Sequence, residues 1–275
     1  MWGTRIERSV TALVHALFEA FHPEHITELY YGRWLMEERS KYHAVIEGVR
    51  AQGGSDEEAA AAIRHGWQAA GEEASRLGTA LHLHAELDAN GVPTAVSREL
   101  RKEAEQLDAF LRSDFVAALG LQPYRTELAV AWRFEGRAVS AGQIDILYRS
   151  RDGDVVMIDF KRVASQHSLQ PWASSYGRYG MPPVEEVPDA RFWRYSLQMS
   201  LYNVMLKQVL HMRTRGCGRV SVFVCLAPPD RLMASIAMTA CTCCGCIATA
   251  RHTNSCVSPI SGITRIRSSP TSISV

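Results

Sequence analysis

One apolar run in the second half of the chain carries charges where a buried strand normally carries none. It spans residues 155–161 and reads VVMIDFK. Because burying an unpaired carboxylate or ammonium group is costly, Asp159 and Lys161 need partners. A second apolar run contains GQID at residues 142–145 and places Asp145 a short distance upstream. The two runs predict a β-hairpin that brings acids and a lysine together, which restricts the chain to folds built on a sheet.

The turn between the runs fixes which charges can meet. Residues 151–153 read RDG, and a three-residue loop with its glycine in the left-handed conformation places Asp145 opposite Asp159. Lys161, two residues further on, then shares their face. A two-residue loop would put Asp145 opposite Phe160 and scatter the charges. The simpler alternative is an exposed hairpin with solvated charges.

Helical spacing dominates the first half of the chain, and strand-like runs follow it. The predicted helices are one begun by Ser9, 26–50, a long alanine-rich one capped by Ser55 and Glu58 with breaks at Gly66, Gly71 and Gly78, one from Ser97 to Phe115, and 192–211. The predicted strands are 127–134, 137–148, 154–163 and 220–226. This order predicts an α/β fold with a mixed central β-sheet flanked by helices. The expected division is a helical N-terminal region over 1–75, a core over 76–230 and a tail over 231–275.

The tail differs in composition from the rest of the chain. Residues 231–275 contain no Asp or Glu and hold five of the seven cysteines. We find no amphipathic period there, so the sequence predicts a disordered or mis-predicted segment. The cysteines follow a C-x-C-C-x-C spacing that matches no zinc or iron–sulfur pattern known to us, and neither group is expected.

Two further pairs of polar residues lie at helical i, i+4 spacing. They are His82 with Glu86 and Gln198 with Tyr202. A lone pair of this kind is most often an ordinary polar contact on a packed helix. Carboxylates and an imidazole that converge are instead the ligands of a divalent cation, with a lysine placed to stabilise charge beside it.

In chain order the motifs are Gly-Thr-x-x-His at 78–82, Glu127, Gly-x-x-Asp at 142–145, Asp-x-Lys at 159–161 and Gln-x-x-x-Tyr at 198–202. The series resembles that of RecB-type PD-(D/E)XK nucleases, including the mitochondrial genome maintenance exonuclease. The resemblance covers roughly residues 9–229 and implies a restriction-endonuclease-like core. Asp159 stands where a Glu is commoner, and both occur in that family.

The resemblance implies a metal site for Mg²⁺ or Mn²⁺. His82, Asp145 and Asp159 would hold the ion, together with the carbonyl oxygen of Phe160. Glu127 matches an additional acid that binds a second ion or supports the first set of ligands.

The resemblance also implies roles beside the metal. Lys161 would orient the attacking water. Gln198 and Tyr202 would steady the substrate strand or the lysine.

Together these features predict a metal-dependent nuclease that hydrolyses DNA, an exonuclease of repair, recombination or replication acting on single-stranded DNA or duplex ends. Two alternatives stay open: a catalytically impaired nucleic-acid-binding relative, and a metal-dependent hydrolase with a non-nucleic substrate. The net charge of +1 gives no global basic field, so any phosphate-binding surface must be local. The sequence offers no apolar membrane run and no signal-like N-terminus, which predicts an intracellular protein of unresolved compartment.

Overall fold

The computed structural model describes residues 6–163, 170–173, 177–210, 219–226, 235–239 and 248–250. It is an α/β protein whose mixed sheet is flanked by helices, which confirms the predicted fold class. The helices are α1 (Val10–His15), α2 (Pro23–Met36), α3 (Lys41–Ala51), α4 (Asp56–Ala89), α5 (Arg101–Leu111), α6 (Asp114–Leu119) and α7 (Arg191–Leu210). The strands are β1 (Arg8–Ser9), β2 (Gln122–Phe134), β3 (Arg137–Arg149), β4 (Val155–Arg162), β5 (Arg219–Leu226), β6 (Ser235–Thr239) and β7 (Ala248–Ala250).

Strand β3 pairs with three other strands of the sheet. It pairs antiparallel with β2 along its whole length and antiparallel with β4 near its C-terminal end. The short β1 pairs parallel with β3 at Ser140 and Ala141. On the far side of β4 the order continues through β5, β6 and β7. The β4–β5 pair is parallel, which requires a crossover connection, and α7 supplies it.

Apolar clusters cover the two faces of this sheet. One packs side chains of α1 and α7 against β3 and β4, among them Val10, Met157 and Met199. The other packs α4 and α5 against the opposite face, with Leu81 and Ile158 fully buried. Because neighbouring residues of β4 alternate between the two clusters, the strand lies between two helical layers.

The β3–β4 turn has the predicted length. Ser150 N donates to Asp154 O at 2.8 Å, and Gly153 has a φ of +87°. The ladder then runs through Arg149–Val155 to Ile146–Ile158. This is the three-residue loop and the register that the sequence predicts.

Helix α4 corrects the expectation that glycines interrupt it. It is continuous over 34 residues and begins with the predicted capping box between Ser55 and Glu58. A glycine inside a helix costs about 1 kcal/mol relative to alanine. Packing of both halves of α4 outweighs that cost at Gly66, Gly71 and Gly78. The helix also runs across the expected boundary at residue 75.

Other predicted boundaries move as well. The segment 26–50 contains two helices, α2 and α3, and Pro23 occupies the first turn of α2. Ser97 caps no helix, because α5 begins at Arg101 after Leu100. The expected single helix to Phe115 is divided into α5 and α6, with Ser113 capping α6.

Two segments of the tail are strands that the sequence does not predict. Strand β6 pairs with β5, and β7 pairs with β6. The five tail cysteines and the rest of 231–275 lie outside the described residues, so the disorder of the tail as a whole stays a prediction. Among the described helices, none is both long enough and apolar enough to cross a membrane.

Candidate metal centre

The predicted site residues meet where β3 and β4 separate, a point we call the fork. The β3–β4 ladder ends at Ile146 and Ile158. On the same edge of β3, β1 pairs only with Ser140 and Ala141. Residues 142–145 therefore have no partner strand on that edge within the described part of the chain. This gap is the GQID motif.

Asp145 closes the ladder with its side chain. Its Oδ2 accepts a hydrogen bond of 2.9 Å from the backbone N–H of Phe160, the contact that a strand carbonyl would otherwise make. Continuing the register places Asp145 opposite Asp159, as predicted. Because N–H and C=O of one residue in a strand point to the same edge, the Phe160 carbonyl also faces the fork.

Helix α4 and strand β2 add an imidazole and a second carboxylate. His82 Nδ1 lies 3.3 Å from Asp145 Oδ1. Glu127 lies opposite Asp145 in the β2–β3 register, at an interruption where its φ is +48°. One ligand atom each from His82, Glu127 and Asp145 lie within 4.8 Å of one another. Three elements distant in sequence thus bring metal-ligating atoms to one point.

The pKa values of His82 and Glu127 show that negative charge dominates this group, which favours the binding of a cation. Burial lowers the pKa of His82, but the hydrogen bond and charge of Asp145 outweigh burial and leave that pKa raised. Burial raises the pKa of Glu127, and the nearby charges of Asp145 and Glu86 raise it further. Acids whose charges repel one another in a half-buried place are stabilised by a cation.

The buried Asp159 and the half-buried Lys161 form an ion pair on β4. Asp159 is 2% exposed, and Lys161 Nζ lies 2.6 Å from its Oδ2. Burial raises the pKa of Asp159 to about 6, although the charge of Lys161 lowers it. Neither carboxylate oxygen accepts a hydrogen bond of good geometry from the described residues. Buried polar atoms normally have such partners, so these oxygens fit a site that is completed by a cation.

Lys161 keeps its charge despite its burial. Burial alone would lower its pKa, but Asp159 and Asp145 raise that pKa above the ordinary value. Its Nζ also lies 5.7 Å from the ring centroid of Tyr195, within cation–π range. Tyr195 is not among the residues predicted from the sequence, although it shares a face of α7 with Gln198, three residues later.

Helix α7 places the Gln-x-x-x-Tyr pair against the fork. Tyr202 is buried, burial raises the pKa of its hydroxyl, and a hydrogen bond with Gln198 lowers it. A Cβ on Gly142 would lie 2.6 Å from the Tyr202 hydroxyl oxygen. The glycine of Gly-x-x-Asp therefore makes room for the tyrosine of Gln-x-x-x-Tyr.

A cleft of about 570 Å³ leads from solvent to this group. Gly78 and Thr79 line it on the α4 side, with His82 and Glu86 one and two turns further along that helix. Glu127 and Gln143 line it from the sheet. His84 lies outside this group, and its Nδ1 is 2.8 Å from Thr94 Oγ1.

Comparisons with known proteins give no family for the chain. No family profile matches it, and no curated protein matches it. A solved structure described as the crystal structure of SSO0001 is similar, with a TM-score of 0.33 and 14% identity over 86% of this chain and 68% of the other. A likeness of that size assigns neither family nor function.

Proposed function

We propose that this chain is a divalent-metal-dependent nuclease that hydrolyses phosphodiester bonds of DNA, with Mg²⁺ or Mn²⁺ bound at the fork. The observation that carries the proposal is the convergence of His82, Glu127 and Asp145 beside the ion pair of Asp159 and Lys161. The ordered motifs of the sequence support the same function independently.

The donor set suits a hard divalent cation. Asp145 and Asp159 offer carboxylate oxygens, the Phe160 carbonyl faces the same edge, and His82 adds a nitrogen. A metal bound there would polarise a phosphoryl oxygen and lower the pKa of a water. Glu127 completes the set or holds a second ion.

The remaining residues of the fork act on substrate and water. Lys161 is charged and fixed by Asp159 and Tyr195, so it can hold an attacking water and stabilise negative charge at phosphorus. Tyr202 lies against Gly142 at the fork and shares a hydrogen bond with Gln198, so this pair can steady the substrate strand or the lysine. The cleft gives a nucleic-acid strand access to this point from solvent.

The motif series supports an exonuclease acting in DNA repair, recombination or replication. Purified protein should release nucleotides from end-labelled DNA in Mg²⁺ or Mn²⁺ and should release none in EDTA. A panel of single-stranded, duplex, 5′-blocked, 3′-blocked and RNA substrates determines polarity and sugar specificity.

Asp145→Asn tests the site within this assay. We expect the loss of metal-dependent cleavage, because the carboxamide lacks the ligand charge. Asp154→Asn is the matched control, since Asp154 is an exposed aspartate in the adjoining turn. Cleavage that persists in EDTA or in Asp145→Asn would overturn the proposal. Oligonucleotide binding without cleavage in the unaltered protein would identify a catalytically impaired relative.

A further inference from the structure

A second cleft lies on α4, toward its N-terminal end. It measures about 520 Å³ and is lined by Phe21, Arg64 and Trp67, among others. Phe21 is 59% exposed and meets Trp67 edge to face, with ring centroids 5.5 Å apart. Trp67 is fixed from behind because its Nε1 donates to the Tyr42 hydroxyl at 2.9 Å. The cleft thus combines an exposed aromatic ring with a rigid one.

Arg64 is held in place at this cleft. Its Nη1 donates to Thr27 Oγ1 at 3.2 Å, and its Nη2 donates to Glu57 at 2.7 Å. These contacts use two of the five N–H groups of the guanidinium. The others can serve an acceptor such as a phosphate or a base carbonyl.

The aromatic cleft and the metal centre lie on the same side of α4. Arg64 and His82 are five helical turns apart, which places them in line and about 27 Å from each other along the axis. Gly71 lies between them on that side, and a Cβ added to it would meet no atom within 4 Å. A linear polymer that leaves the first cleft can therefore follow α4 to the second.

The net charge around this cleft favours single-stranded over duplex DNA. Residues 6–75 contain twelve acidic residues against six arginines and lysines. This excess repels the dense phosphate charge of a duplex. Stacking of unpaired bases on aromatic rings adds binding free energy that does not come from charge, and the aromatic rings of this cleft can provide such stacking.

We propose that the aromatic cleft binds unpaired bases of the DNA strand whose scissile end occupies the fork. This inference rests on the proposed function and adds a second contact point to it. At about 3.4 Å per nucleotide the 27 Å separation corresponds to about eight nucleotides. A stacked strand much shorter than eight nucleotides cannot reach both points, and a dinucleotide cannot reach them even when it is fully extended.

The test measures binding without cleavage. Fluorescence anisotropy with Ca²⁺ in place of Mg²⁺ compares a twelve-nucleotide thymidine strand, a thymidine dinucleotide and a blunt duplex. Phe21→Ala is the variant, and Phe134→Ala is the matched control, because Phe134 is also 59% exposed but lies at the β2–β3 turn. Circular dichroism melting checks that both variants fold.

We expect Phe21→Ala to weaken twelve-nucleotide binding by about five- to hundredfold, the range for stacking one base on an aromatic ring. Binding of the dinucleotide and of the duplex should not change, and Phe134→Ala should bind like the unaltered protein. The inference is overturned if Phe21→Ala has no effect, if both variants lose binding equally, or if the unaltered protein binds no strand.

Separate cleavage assays keep the two proposals apart. Metal-dependent cleavage combined with an unaffected Phe21→Ala variant would overturn the aromatic cleft alone. Phe21-dependent binding without any cleavage would overturn the proposed nuclease and leave the cleft.

Discussion

Asp159 is buried and paired with Lys161, beside Asp145, a carboxylate that already has its own hydrogen bond. Asp145 has Phe160 N as a donor, whereas Asp159 has only the ion contact with Lys161 among the described residues. Buried carboxylates rarely lack hydrogen-bond donors unless a ligand such as a metal ion binds them. Substitutions of Asp159 and of Lys161 should therefore have different effects.

We expect Lys161→Ala to lower the single-turnover cleavage rate by about 10² to 10³ while leaving metal binding intact, because the loss of one charge-stabilising donor costs this much. Asp159→Asn should instead weaken metal binding, as measured by Mn²⁺ titration calorimetry. Lys102→Ala is the control for the lysine, since Lys102 is exposed on α5. Full activity of either site variant would show that these residues are misassigned.

The fork should also bind metal in a pH-dependent way. The pKa of His82 is raised and that of Asp159 is raised to about 6, so both groups hold protons to a higher pH than usual. A metal needs the unprotonated forms, so affinity should rise with pH through these pKa values. We expect Mn²⁺ affinity to be at least about tenfold higher at pH 8 than at pH 5.5. Titration calorimetry at both values checks this, and equal affinities would contradict it.

Helix α7 and strand β3 fit together through one glycine. We expect Gly142→Ala to destabilise the protein by about 1 to 3 kcal/mol and to reduce cleavage, because its Cβ would overlap the Tyr202 ring. Tyr202→Leu removes the overlapping ring atoms. The double variant should therefore recover stability relative to Gly142→Ala in urea unfolding, but not cleavage.

Additive losses in that cycle would show that the two residues do not meet. Gly136→Ala is an unsuitable control because Gly136 has a φ of +77°. Gly48→Ala suits better, since a Cβ there meets nothing within 4 Å and its φ is not in the left-handed region.

The hairpin was predictable from sequence because turn length and a period of two residues determine its register. Asp145 therefore falls opposite Asp159 without knowledge of any other contact. Glu127 is different. It appeared as the first residue of a strand, yet β2 begins at Gln122 and Glu127 has a left-handed φ inside the strand. No glycine or asparagine marks that irregularity, so residue type alone could not reveal it.

Contacts between distant elements explain the other differences. The glycines of α4 reduce local helix propensity, but Leu81 and Ile63 are buried in two separate clusters that hold the helix together. Strand β1 has only two residues, too few to show a period. Tyr195 belongs to the site only because its ring lies near Lys161, which is on another element. Such contacts exist only after the chain has folded.

The molecule as a whole places every proposed site residue before β5. A chain ending at Asp230 should therefore retain metal-dependent cleavage. Its melting temperature should fall, because β5 loses β6 as a partner. Differential scanning calorimetry and the cleavage assay compare it with the full chain. Loss of cleavage in a folded truncated protein, or stoichiometric zinc or iron in the full chain, would show that the tail has a larger role.

The hydrogen bond between Asp145 and the Phe160 amide makes the fork measurable without any substrate. That amide lies past the end of the β3–β4 ladder, where a backbone proton would exchange readily with solvent. A single carboxylate oxygen shields it. Its rate of deuterium uptake therefore reports how firmly Asp145 is held, and it should slow when an ion fixes that carboxylate. The exchange rate of this one backbone amide therefore reports whether a metal ion occupies the centre, and it can be measured without any substrate.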